Sequence, residues 1–223
     1  TEVTITEITN YPFDDKITLE IVPGAAVSFP LHLRIPAWCE SPSVAVDGEA
    51  VPGVKPGAMA VIDREWKSKT IVTLSLPMKV TTSSWAKNSR AIERGPLVYA
   101  LKLNERWEKG TEPKEGDYFS VYPTEDWNYG LLQEVVKDPE AGLVAHVKPM
   151  PEKFAWNLHN APVEIVARGR KIPAWKAVNG VAHQPVTDRE GIYKGDVAPE
   201  ISTFTLIPYG CTKVRIVAFP VVR

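Results

Sequence analysis

Glu93-Arg94-Gly95-Pro96-Leu97-Val98-Tyr99-Ala100-Leu101-Lys102 is the stretch that decides the fold. A Gly-Pro pair interrupts the backbone pattern, and an almost wholly apolar run comes directly after it. Proline fixes φ and has no N–H to donate, so Pro96 suits the start of a strand and not its interior. Residues 97–101 are too few for a stable helix and fit a strand buried on both faces. The residues before this stretch read as one compact set of strands, and the residues after it as a second.

Working toward the N-terminus, Phe29, Leu31, Leu33 and Ile35 alternate with Ser28, Pro30, His32 and Arg34, the clearest period-two pattern in the chain. Val3, Ile5 and Ile8 alternate with Thr and Glu as in a half-buried strand, and residues 17–21 continue the pattern. Val44-Ala45-Val46, Asp47-Gly48 and Val51 predict a hairpin, because Asp-Gly tolerates the positive φ of a tight I′ turn. Residues 58–62 predict a short strand, and Val72, Leu74, Leu76, Met78 and Val80 the last strand of this half. Short strands at this spacing make a β-sandwich.

Working toward the C-terminus, residues 105–118 are rich in charge, Gly and Pro and predict an exposed loop. Strand character resumes at 119–123 and 127–131, then at 144–148, 163–167, 204–208 and 213–219. The expectation is an all-β protein of two consecutive, mostly antiparallel β-sandwich domains, 1–88 and 89–223, with polar residues 83–89 at the boundary.

Composition agrees. Proline supplies 20 of 223 residues, about twice the common share, scattered so as to disfavour long helices. No apolar run approaches the ~18 residues of a membrane span. With 26 basic and 27 acidic residues and a net charge of −1, neither nucleic acid nor membrane is an expected partner. The chain opens at Thr1 without an initiator Met and directly in a strand-like run, which reads as a piece of a longer protein.

The catalytic vocabulary is sparse. Gly-x-Ser-x-Gly, P-loop, dinucleotide-glycine and His-Glu-x-x-His signatures are all missing. His32, His146, His159 and His183 stand apart from one another, which gives no metal spacing. Cys39 and Cys211 read as small buried hydrophobes, with a disulfide as the alternative. The acidic pairs Asp14-Asp15, Glu125-Asp126 and Asp188/Glu190 fall in turns, where carboxylates solvate and cap the backbone. Hydrolysis of a glycoside by such a pair would need the two acids about 5–10 Å apart across a cleft. No catalytic residue and no cofactor is therefore assigned to this chain. Among the seven tryptophans, Trp107 and Trp127, with Tyr129, lie in or near a long loop and are the candidate carbohydrate-stacking residues. Core and interface packing is the competing role for such rings.

Several stretches, taken in order, resemble one family. They are Thr9-Asn10-Tyr11-Pro12-Phe13, Leu33-Arg34-Ile35-Pro36-Ala37-Trp38-Cys39, Val44-Ala45-Val46-Asp47-Gly48 and Leu74-Ser75-Leu76-Pro77-Met78. Arg94-Gly95-Pro96-Leu97-Val98-Tyr99, Trp127-Asn128-Tyr129, Asn160-Ala161-Pro162, Arg170-Lys171-Ile172-Pro173-Ala174-Trp175 and Pro208-Tyr209-Gly210-Cys211-Thr212-Lys213 continue the order. Together they resemble the C-terminal region of the β-L-arabinofuranosidase family, glycoside hydrolase family 127 and its relatives.

The resemblance implies an (α/α)6-barrel catalytic domain followed by two β-sandwich regions. It also implies retaining hydrolysis by a cysteine nucleophile, with a glutamate and further cysteines around zinc. The Glu-x-Cys and Cys-Cys motifs of that chemistry lie upstream of the matching region. Cys39 and Cys211 do not match them, so zinc and catalysis are expected of the parent's barrel and not of this chain. The implied role is an inactive accessory region whose partner is the parent's own catalytic domain, with a homodimer as a further expected assembly. An independent carbohydrate-binding module is the alternative. The compartment stays open, a secreted or periplasmic parent being what glycan degradation suggests.

Overall fold

The computed structural model describes residues 1–114 and 116–223; Glu115, in the stretch read as a loop, lies outside the described residues. The chain forms two compact units, Thr1–Lys79 and Val80–Arg223.

The first unit is a β-sandwich. Its strands are β1 (Val3–Thr9), β2 (Lys16–Pro23), β3 (Val27–Arg34), β4 (Ser43–Val46), β5 (Glu49–Ala50), β6 (Met59–Trp66) and β7 (Thr70–Ser75). One antiparallel sheet runs β1-β2-β7-β4-β5, and β3 pairs with β6 as a separate ribbon. Alternation sorts the side chains: along β7, Thr70, Val72 and Leu74 are buried while Ile71, Thr73 and Ser75 are partly exposed. Ile21, Leu33, Ile62, Val72 and Leu74 meet in the core around Trp66, which is fully buried. The Trp66 indole N–H donates to the Phe29 carbonyl at 2.9 Å, and the two rings stack at 5.2 Å. Its polar edge is thus satisfied inside an apolar core. Pro30 lies within β3, whose single hydrogen-bonded neighbour is β6, so its missing N–H falls where a ribbon edge tolerates it. The β4–β5 hairpin turns at Asp47 (φ 51°) and Gly48 (φ 88°), as the Asp-Gly pair predicts.

The second unit is built on β8 (Val80–Ser84), β9 (Arg90–Arg94), β10 (Leu97–Leu101), β11 (Glu105–Glu112), β12 (Gly116–Pro123) and β13 (Tyr129–Leu132). Two short helices come next, α1 (Gln133–Lys137) and α2 (Pro139–Gly142). The remaining strands are β14 (Val144–Val147), β15 (Val163–Lys171), β16 (Ala177–Val178), β17 (Val181–Ala182), β18 (Ser202–Pro208) and β19 (Val221–Val222). The main sheet has eight strands in the order β19-β13-β15-β18-β10-β9-β8, with β14 also paired to β15. The C-terminal segment ties its ends together: β19 pairs with β13, while Phe219 and Arg90 of β9 exchange backbone bonds at 2.8 and 2.9 Å. The sheet therefore curls over a core that includes Ile92, Tyr99, Leu131, Ile165, Leu206 and Phe219.

Three local expectations are corrected. Within the stretch read as a loop, residues 105–112 and 116–118 belong to the β11–β12 hairpin, an antiparallel ribbon most of whose described residues are exposed. A ribbon wet on both faces has no buried side to impose alternation, so its sequence reads as a polar loop. The segment 213–219, expected as a strand, is irregular apart from the Phe219 bridge and the bond from the Leu101 N–H to the Ile216 carbonyl. The apolar series 72–80 is broken after Ser75 at Pro77, and Val80 opens β8, which pairs with β9 inside the second unit. That pairing sets the division of the compact units at Lys79/Val80, where the sequence reading places the domain boundary after residue 88.

Candidate functional site

The residues that could carry chemistry are held in structural roles. Cys39 is fully buried in the first core; burial outweighs its backbone hydrogen bond with Ser41 and pushes the thiol up. Cys211 packs with Ala161 and Ile207 and contacts the Ala155 carbonyl at 3.7 Å; burial pushes it up to about 11. Both thiols are free and protonated at neutral pH, the reverse of an activated nucleophile.

The acidic pairs act on backbone and neighbours. Asp14 accepts the Asp15 N–H at 2.7 Å, and Asp188 accepts the N–H groups of Glu190 and Ile192, both at 2.9 Å. Glu125 accepts from the Asn104 amide, and Asp126 pairs with Lys171. All four histidines are exposed. Among the described residues, no three His, Cys, Asp or Glu side chains gather as a metal site.

The three aromatic candidates do not form one platform. Trp107, half exposed on β11, meets Phe119 of β12 edge to face at 5.9 Å. Its indole N–H reaches the Glu105 carboxylate at 3.3 Å. Trp127 packs edge to face on the buried Trp175 at 5.1 Å. Tyr129 stacks on Phe204 at 5.2 Å, and Phe204 in turn stacks on the fully buried Phe219 at 5.9 Å. Trp107 and Tyr129 border different cavities.

Two recesses of the second unit stand out. One is an apolar cleft of ≈ 560 Å³, lined by Trp85, Ala91, Pro96, Leu97, Val98 and Tyr209 among others. Trp85 is 60% exposed, although its indole N–H is anchored on Ser83 Oγ at 2.8 Å. The other is a polar groove of ≈ 860 Å³ whose walls include Lys102, Asn104, Thr124, Glu125, Asp126 and Tyr129. Of these residues the sequence singles out Tyr129 as a ligand contact. The rest come together only through the pairing of β10 with β18 and the turn after β12, which local spacing does not reveal.

Residues 1–78 match the family described as the beta-L-arabinofuranosidase, GH127 middle domain. They are a GH127-family region. Solved structures extend the GH127 likeness along the chain. A GH127 β-L-arabinofuranosidase from Geobacillus stearothermophilus T6 superposes with a TM-score of 0.61 at 25% identity, covering 98% of this chain and 30% of that one. A structure described as a glycoside hydrolase gives 0.61 at 21% identity, covering 99% and 32%. A second GH127 β-arabinofuranosidase gives 0.62 at 19%, covering 98% and 32%; the last two likenesses establish shared fold alone. The chain thus spans about a third of the length of the structures it matches. No curated protein matches it.

Proposed function

We propose that this chain is the non-catalytic β-sandwich region of a glycoside hydrolase similar to the β-L-arabinofuranosidases, packing on and supporting an (α/α)6-barrel catalytic domain. One observation carries the reading: nearly the whole chain superposes on under a third of a GH127 enzyme, and its first 78 residues are a GH127 middle domain. The chemistry of the chain is consistent with it. Its thiols are buried and protonated, and its paired carboxylates are committed to turns, amides and ion pairs.

The apolar cleft around Trp85 and Leu97 is the surface we assign to that packing. An indole with more than half its surface in water is stabilised when a partner covers it, at ~25 cal/mol per Å² of apolar area buried. The test expresses the chain and the catalytic domain of the same enzyme as separate polypeptides and measures their association by calorimetry. A stoichiometric complex is expected, and Trp85→Ser should weaken it about ten-fold, or ~1.4 kcal/mol. Absence of any complex would count against the reading.

A further inference from the structure

The polar groove lies apart from the cleft assigned to packing, and its chemistry differs. Thr203 and Thr205 stand two residues apart on β18 and so share one face of the strand, with Phe204 buried between them on the other. Lys102 comes directly after β10, and its N–H donates to the Thr205 carbonyl at 2.8 Å, which fixes it beside those threonines. The turn after β12 supplies the facing wall. The Thr124 N–H and hydroxyl both donate to the Asn104 carbonyl, at 3.0 and 3.3 Å, and the Asn104 amide donates to Glu125. Lys171 pairs with Asp126 at one end, and Glu164, paired to Lys102 at 2.7 Å, braces the ammonium at the other.

The aromatic edge of the groove is equally fixed. Tyr129 is the outermost ring of the Tyr129–Phe204–Phe219 stack, which runs from the groove into the core. One glycine makes room for that stack. A Cβ on Gly169 would sit 2.0 Å from the Gly130 carbonyl oxygen and 2.9 Å from the Phe204 ring. The Phe204 ring therefore occupies space that a side chain on Gly169 would take.

We propose that this groove binds a neutral saccharide. Two of its ionic groups are paired within the protein, Lys102 with Glu164 and Asp126 with Lys171, and Glu125 accepts from the Asn104 amide. An anion would face Glu125 and Asp126, a cation would face Lys102, and an apolar ligand would strand their polar atoms. Each ion-paired or amide group nevertheless keeps unused hydrogen-bonding capacity, since an ammonium has three donors and a carboxylate about four acceptor sites. Hydroxyl groups, which donate and accept, match that mixed lining, which the Tyr129 ring borders. The volume of ≈ 860 Å³ lies within the ~300–1,000 Å³ of small-ligand sites. This goes beyond the accessory role and does not depend on it, because the groove is complete within the chain.

The experiment is an amide-resolved NMR titration of the 223-residue chain with arabinotriose, xylotriose and cellotriose, with inorganic phosphate as the anionic comparison. At least one saccharide should shift the amides of Asn104, Thr124, Glu125, Thr203 and Thr205, saturating in the millimolar range, about 1 mM. Thr203→Val and Thr205→Val together should weaken that binding about ten-fold, as should Tyr129→Ala, while Trp107→Ala should leave it unchanged. The threonine variants alter one exposed and one partly exposed position, so they carry the test if Tyr129→Ala misfolds. The proposal is overturned if none of the three sugars perturbs the groove at about 10 mM. It is equally overturned if the shifts map elsewhere, or if phosphate competes for the same amides.

Discussion

Glu105 shows how one carboxylate anchors an exposed element. Its Oε1 accepts the Thr212 hydroxyl at 3.0 Å, the Lys213 N–H at 2.6 Å and the Val214 N–H at 3.4 Å, which pins the base of the β11–β12 hairpin to the segment before the C-terminus. Burial alone would raise its pKa, but these bonds, with that from Trp107, outweigh it and hold the carboxyl below its ordinary value. Glu164 obeys the same logic: burial raises it, and hydrogen bonds from Lys102 and Lys148, each at 2.7 Å, bring it down. A carboxylate with a depressed folded-state pKa contributes stability above the unfolded value of ~4.3 and loses it as pH falls through the folded value. Urea unfolding should therefore show stability falling as the pH drops below about 4.3, and Glu105→Gln with Glu164→Gln should flatten that fall. At neutral pH, Glu105→Ala strands the N–H groups it capped and should cost about 1–3 kcal/mol.

The thiols test the alkaline side. Cys211, pushed up to about 11, favours folding while protonated, so its contribution should decline as pH rises from the unfolded value of ~8.5 through about 11. A thiol reagent at pH 8 should label neither cysteine in the native chain and both in denaturant. Rapid native labelling of Cys39 would contradict its burial.

At the scale of elements, legibility tracked burial. Leu97–Leu101 is a strand, as the Gly-Pro start and apolar run predict, and the β3 alternation and the Asp47-Gly48 hairpin result from period two and turn chemistry. Elements without a buried face left no such mark. The β11–β12 ribbon is held by local contacts instead: Arg106 lies over Tyr122 at 4.9 Å, Lys109 pairs with Asp117 at 2.5 Å, and the Tyr118 ring covers the place where a Gly110 Cβ would be. Its polar sequence carries no periodic signal, since both faces are largely wet. Nor does composition announce that Gly169 of β15 closes on the Gly130 carbonyl of β13. Gly169→Ala should destabilise the chain by about 1–3 kcal/mol in thermal or urea unfolding, because backbone and not a flexible side chain stands in the way. Conversely, Trp66→Ala empties the first core and should cost about 3–5 kcal/mol.

For the whole molecule, the all-β architecture was legible because prolines, short alternating runs and turn pairs agree along the entire sequence. The likeness to the GH127 enzymes was legible because many modest matches keep one order. The polar groove was not, because Lys102 and Asn104 meet Thr203 and Thr205 only when β10 and β18 pair across some hundred intervening residues. The stacking candidates were read by residue type, and their packing separates them: Trp127 rests on Trp175, Tyr129 on Phe204, and Trp107 lies out on the hairpin. The most direct measurement assays the chain alone beside the complete polypeptide of the enzyme on a chromogenic β-L-arabinofuranoside. Turnover by the complete enzyme and none by the isolated chain is the result the accessory role requires; turnover by the isolated chain would contradict it.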